Sequence, residues 1–200
     1  MRQTAHVPAA PQIRPIQTAD PHALKTFTAE LSPDTLYFRF GRLSVSIWSE
    51  EEWQALCAPH PDRRAHFVAT EVIGPGLYAI VGMAGLILDG SPDSAEFGLV
   101  VADHRQHHGL GKQLMHAPVC EASQRGLNSV YGDVYGDVYG EFLPSNATML
   151  SFREGLGFAS GVCPDDERIH RMVLRIRTQR FSDQLVPASE KSPTRVRMQA

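Results

Sequence analysis

Between Ala95 and Met115 the chain passes from an apolar, strand-like run into a helical pattern through a short polar turn, and this passage constrains the fold most. The run ends at Val101, and the helical pattern carries apolar residues at Leu110, Leu114 and Met115. A glycine-bearing turn between a strand and a helix leaves backbone N–H groups without intrahelical partners. It also aims the positive end of the helix dipole at whatever lies in front of it. Such a turn is a cradle for a phosphate or diphosphate.

The spacing narrows the kind of cradle. A P-loop requires Ser or Thr after its lysine, and Lys112 is followed by Gln113. A dinucleotide fingerprint requires Gly-x-Gly-x-x-Gly at the start of a βαβ unit. The pattern here is Gln106-x-x-Gly109-x-Gly111, deep in the chain and behind several antiparallel-looking strands. It resembles the coenzyme A diphosphate signature of the GNAT N-acetyltransferase superfamily, Gln/Arg-x-x-Gly-x-Gly/Ala. Read alone, two glycines describe equally well a tight turn with no ligand. Three further matches extend the resemblance over Ile13 to Arg177. Glu96 stands on the strand where many members carry the carboxylate that deprotonates the amine. Asn146-x-x-Met149 with Leu156-Gly157-Phe158 resembles the family's ending. Ile13-Arg14-Pro15-Ile16 and the run Leu31 to Phe40 resemble the start of the acetyltransferase domain of bacterial protein lysine acetyltransferases.

The pattern of elements alone predicts an α/β domain with a mixed sheet. A helix is expected from Pro21 with Asp20 as its cap, another from Pro33, and a third from Ser49 followed by three acids. Strands are expected at about 65–73 and 77–88, around Glu96, and from Ser129. A helix is expected from about Ser145 to Leu156, with a last strand at Ile169 to Ile176. The resemblance adds a GNAT-like, mostly antiparallel sheet flanked by helices and splayed between the fourth and fifth strands, where acetyl-CoA enters. The expected domains are a lead-in over 1–11, an N-acetyltransferase domain over 12–179 and a disordered tail over 180–200.

Acetyl transfer from a thioester requires a neutral amine. A lysine-like amine has a pKa near 10.4, so deprotonating it at pH 7 costs about 4.6 kcal/mol. A carboxylate in the channel accepts that proton, and the resemblance gives this role to Glu96, which otherwise reads as a surface strand residue. The thioester carbonyl needs a backbone donor from the fourth strand, at Leu99, Val100 or Val101. Gln106, His107, His108, Gly109, Leu110, Gly111 and Lys112 are expected around the diphosphate, although Lys112 reads equally as a solvated helix residue. Asn146 faces the pantetheine arm or caps its helix, and Asp103 reads as a cap of the phosphate turn. One departure stands out: the position of the family's proton-donating tyrosine, seven residues after the asparagine, is Arg153, which cannot act as an acid. His104, His107, His108 and His116 straddle the turn with no carboxylate or cysteine to complete a set, so no metal is expected.

These 200 residues carry a net charge of −3, so no global basic field draws in nucleic acid. Cys57, Cys120 and Cys163 are odd in number and widely spaced, which argues for a reducing compartment. No run approaches a membrane span, and the first residues lack the apolar stretch of a signal peptide; a cytoplasmic monomer or homodimer is expected. The function the resemblance implies is acetyl-CoA-dependent N-acetylation of a primary amine, on a protein lysine or a small molecule. The alternatives are a non-catalytic acyl-CoA sensor and a partner-binding domain using the arginine-rich last strand. The tandem Val130 to Glu141, three Val-Tyr-Gly-Asp/Glu units, exceeds the family pattern by eight residues. One unit is expected to pair in the sheet and the rest to protrude.

Overall fold

The computed structural model describes residues 10–40, 48–135, 155–163 and 166–176. In chain order the elements are β1 (Gln12–Pro15), α1 (Pro21–Ala29), α2 (Pro33–Phe40), α3 (Glu50–Cys57), β2 (Arg64–Gly74) and β3 (Leu77–Ile87). Then come β4 (Ser94–Val101), α4 (Leu110–Gln124), β5 (Ser129–Tyr135), β6 (Ala159–Cys163) and β7 (Asp166–Arg175). Local chemistry accounts for the start of α3. Ser49 opens α3 with a capping box: its hydroxyl accepts from the Glu52 N–H at 3.2 Å, and the Glu52 carboxylate accepts from the Ser49 N–H at 2.7 Å. Asp20 precedes α1 but its side chain does not cap it. The carboxylate is fully buried and accepts from Arg14 twice at 2.7 Å, from the Gln17 N–H at 2.7 Å and from Tyr78 Oη at 2.6 Å. Burial pushes the Asp20 carboxyl up, but the bonds from Arg14, Tyr78 and Gln17 outweigh it and hold its pKa below the usual value. A long-range tie between β1, α1 and β3 has won over the local cap.

The sheet has seven strands in the order β1-β2-β3-β4-β5-β7-β6. Every neighbouring pair is antiparallel except β4 and β5, which are parallel. That parallel pairing covers only Ser94↔Ser129 to Glu96↔Tyr131, while β4 continues to Val101 and stays paired with β3 as far as Gly82↔Val101. The sheet is therefore split from Phe97 onward, as the resemblance implies.

Helix α4 covers one side of the sheet. Its Leu114 fills the space above Gly82, and its Met115 and Val119 pack with Leu86, Ala95, Phe97, Val130, Met172 and Leu174. Side chains alternate along a strand, so Phe97, Leu99 and Val101 face α4, while Glu96, Gly98 and Val100 face the other way. On that other side Leu24 and Phe27 of α1 and Trp53 of α3 pack with Val68, Val81 and Met83. Helix α2 lies over β4.

The first Val-Tyr-Gly-Asp unit pairs with β7, and so do Val134 and Tyr135, ending at Tyr135↔Ile169. Pairing thus extends beyond the single unit expected from the sequence, because a four-residue period keeps strand parity and lets β5 run on against β7. The remainder of the repeat lies outside the described residues, with Asn146, Arg153 and most of the helix expected over 145–156.

Candidate active site

The open edge of β4 is defined by its hydrogen-bond alternation. Ala102 donates its N–H to Val81 O at 3.0 Å, and pairing along an antiparallel ladder alternates. The backbone groups of Val100 and Gly98 therefore also point to β3. Those of Leu99 and Val101 point away from it, into the split. Of the three candidate donors, Leu99 and Val101 present their N–H groups to the gap and Val100 does not. Val101 O accepts from Gln106 Nε2 at 3.1 Å on this open side.

The turn after β4 is held from three directions. Gln106 Nε2 also reaches Thr35 Oγ1 at 3.3 Å, so the Gln106 side chain braces the turn against β4 and α2. Arg105 forms an ion pair with Glu71 of β2. Asp103 does not cap the turn; its carboxylate accepts from the Ser32 N–H at 2.9 Å, the Ser32 hydroxyl at 2.7 Å and the Thr35 hydroxyl at 2.8 Å. Burial pushes the Asp103 carboxyl up, yet these bonds hold its pKa below the ordinary range. Asp103 thereby clamps the start of α2 to the end of β4.

His107 and Gly109 have φ of +61° and +82°. A left-handed backbone at a histidine is uncommon and costs about 1 kcal/mol. At Gly109 a Cβ would meet nothing within 4 Å, so the conformation rather than crowding favours glycine there. His108 Nδ1 lies 2.5 Å from Gln106 O. The first intrahelical bonds run from the Lys112 and Gln113 N–H groups to Gly109 O, at 3.1 and 3.2 Å. The N–H groups of Gly109, Leu110 and Gly111 come before them, at the positive end of α4. Leu110 is buried in the core, so it contributes through its backbone. The Lys112 ammonium lies against Gly155, at the end of the helical turn closed by Gly157 with φ +77°.

Glu96 occupies the last paired position before the split, opposite Ile87 on β3 and Tyr131 on β5. Sequence reasoning gave no role to its neighbours. Arg39 of α2 lays its guanidinium over Gly98, where an added Cβ would overlap it. Arg39 keeps some exposure as a residue, but burial of its guanidinium lowers its pKa, against which the charge of Glu96 acts. Next along the same face, a Cβ at Gly85 would overlap the His66 ring, and Gly85 is the register partner of Gly98. Burial pushes the His66 pKa down to about 4, although its ring nitrogen lies 3.3 Å from Leu56 O. Tyr131 Oη donates to Asp89 at 2.8 Å, and the Arg171 guanidinium lies 4.7 Å from the Tyr131 ring centroid. Desolvation and that Asp89 bond push Tyr131 up to about 12, so it is a poor proton donor. A glycine in mid-strand signals close approach of another group, and Gly98 was the available clue to Arg39.

The site thus joins a carboxylate, outward-facing strand amides and a helix N-terminus within one segment, Glu96 to Gly111. A cavity of about 690 Å³ between Asp62, Arg63, Leu88, Arg125 and Leu127 contains none of these residues. Among the described residues no group of three or more His, Cys, Asp or Glu side chains forms a metal site.

Residues 28–137 match the Acetyltransferase (GNAT) family. The chain is similar in structure to the GNAT domain of PAT from S. lividans, with 20% identity and a TM-score of 0.65 over 87% of this chain and 99% of that one. It is similar to an acetyltransferase of the GNAT family from Streptococcus pneumoniae, with 16% identity and a TM-score of 0.62 over 84% and 99%. It is also similar to the spermidine N-acetyltransferase from Vibrio cholerae in complex with CoA and spermine, with 17% identity and a TM-score of 0.61 over 84% and 96%.

Proposed function

Because the chain belongs to the Acetyltransferase (GNAT) family, we propose that it transfers an acetyl group from acetyl-CoA to a primary amine, by direct attack of the amine on the thioester. The observation that carries this reading is the coincidence, on one strand, of Glu96 at the last paired position and the Leu99 and Val101 amides just inside the split. The residues present fit acetyl-CoA: the amides at the start of α4 suit a diphosphate, and the split takes an extended pantetheine arm. Bound acetyl-CoA supplies the activated acetyl group.

The protein's own part is division of labour along β4. Glu96 accepts a proton from the incoming ammonium, directly or through one water. The Leu99 and Val101 N–H groups donate to the thioester oxygen as negative charge develops on it. Gly109 to Gly111 hold the diphosphate end in register, so the acetyl carbon stays beside Glu96. The acceptor approaches from the α2 side, where Glu96 points. Protonation of the departing thiolate falls to water, since Tyr131 is committed to Asp89 and Arg153 carries no acidic proton.

Release of free thiol from acetyl-CoA, followed over a panel of primary amines, tests the reading, with calorimetry of acetyl-CoA binding alongside. Turnover with at least one amine is the expected result. Tight binding without turnover on any amine would replace the enzyme with an acyl-CoA sensor.

A further inference from the structure

A row of register partners crosses the sheet through Glu96. Ile87 stands opposite it on β3, Tyr131 on β5, Val173 beyond Tyr131 on β7 and Ala159 beyond that on β6. Register partners share a face, so the whole row lies on the α2 side with Glu96. Neighbouring strands are about 4.8 Å apart, which puts Ile87 and Tyr131 directly on either side of the carboxylate. Ile87 is 41% exposed, while the other large exposed hydrophobic side chains among the described residues, Val72, Ile73 and Leu77, lie in the distant turn between β2 and β3. A lone exposed isoleucine is ordinary on a protein surface. This one stands beside the group that takes the amine proton, and the row continues past Glu96 into the half-buried Tyr131 and Val173. The Tyr131 ring is already fixed, by the Asp89 bond at its hydroxyl and the Arg171 guanidinium 4.7 Å from its centroid. Two residues further along β4, the hollow over Gly98 is filled by the Arg39 guanidinium. An acceptor whose nitrogen meets Glu96 therefore lays its body over the row rather than over Gly98.

We propose that the acceptor carries an apolar group within a few bonds of its amine, and that Ile87, beside Glu96 on the neighbouring strand, seats that group and so determines acceptor choice. This inference rests on the acetyltransferase reading above. Contact with Ile87 removes apolar surface from water on both partners. It also thins the water around the ammonium, which favours the neutral amine that attack requires. Ile87 touches no reacting atom, and the chemical step is unchanged: the N–C bond forms, the C–S bond breaks, and the amine proton passes to Glu96. A small alkylamine and a lysine beside an apolar residue present the same chemistry.

The test compares acceptors matched in shape under saturating acetyl-CoA. One pair is 3-methylbutylamine with 3-aminopropanamide; the other is a lysine peptide flanked by Leu with its Asn counterpart. For the wild-type protein kcat/KM should favour the apolar member of at least one pair by about tenfold or more, and the pair that responds identifies the source. In Ile87→Thr that preference should fall to within about twofold of unity, through a higher KM for the apolar member, with turnover of the polar one kept. Ile87→Val, which stays apolar, should retain most of it. Both variants should keep the unfolding midpoint and the calorimetric acetyl-CoA affinity close to wild type, since Ile87 is partly exposed and faces away from α4. A polar member used as well as its apolar partner in both pairs would overturn the inference and leave the acetyltransferase reading standing. A preference undiminished in folded Ile87→Thr would also overturn it. Absence of turnover with every amine would overturn both.

Discussion

Four strand glycines divide between the two faces of the sheet, and the contrast shows how differently the two faces are built. On the α4 face, a Cβ at Gly82 would come within 3.0 Å of Leu114, and one at Gly132 within 2.7 Å of the Phe97 ring. On the opposite face, the spaces at Gly85 and Gly98 are filled by the His66 ring and the Arg39 guanidinium. The same residue type, used for the same reason of close approach, admits hydrocarbon on one side and titratable or charged groups on the other. The α4 face buries apolar area against the sheet. The α2 face instead seats polar groups, at the expense of desolvating them.

Substitutions that empty the α4 face should cost most. Phe97 is 6% exposed and packs on Phe158 with ring centroids 5.2 Å apart. Phe97→Ala should destabilise the protein by about 3–5 kcal/mol in denaturant unfolding. A loss below about 1 kcal/mol would erase the distinction between the faces.

The α2 face should announce itself through pH instead. His66 titrates near 4 in the folded protein, below its ordinary value of 6.5. As pH falls through 6.5 the unfolded chain binds the proton and the folded one does not. The associated stability is therefore present above about 6.5 and declines by roughly 3 kcal/mol toward pH 4. His66→Gln should flatten that part of the stability profile relative to wild type. Parallel profiles for the two proteins would show that the ring is not held neutral.

The glycines themselves make the sharpest contrast. Gly132→Ala drives a methyl into the buried Phe97 ring, which should cost about 1–3 kcal/mol. Gly98→Ala meets the far end of the Arg39 side chain rather than a packed ring, so its effect on stability should stay below that of Gly132→Ala, within about 1 kcal/mol. Equal losses of stability at the two sites would remove the contrast between the two faces.

Smallest in stability is Asp103→Ala. It removes three hydrogen bonds at an exposed site, at about 1 kcal/mol. Its signature should be a several-fold rise in acceptor KM with acetyl-CoA affinity nearly unchanged, since α2 rather than α4 loses its anchor. A selective loss of acetyl-CoA binding would place Asp103 in the cradle after all.

The sequence made periodic and local features legible. The alternation through β4, the glycine turn and the start of α4 were written in order along one segment, and Ser49 with Glu52 spelled out a cap. Contacts between distant segments were not. Asp20 looks like a helix cap until Arg14 and Tyr78 arrive from β1 and β3, and Asp103 looks like one until α2 is packed against it. Arg39 sat inside a run that was recognised as a whole, with nothing to show that a glycine 59 positions on would seat it. The choice between Leu99, Val100 and Val101 needed the hydrogen-bond alternation, which a one-residue slip would reverse.

The central claim, that Glu96 serves proton transfer at the closed end of the split, is tested most directly by the pH–rate profile of Glu96→Gln under saturating acetyl-CoA. The account predicts turnover lower by about 10²-fold or more near neutral pH, acetyl-CoA affinity within a few-fold of wild type, and a deficit that narrows as pH approaches the pKa of the amine. Wild-type turnover at neutral pH, or a deficit that stays constant up to high pH, would contradict it.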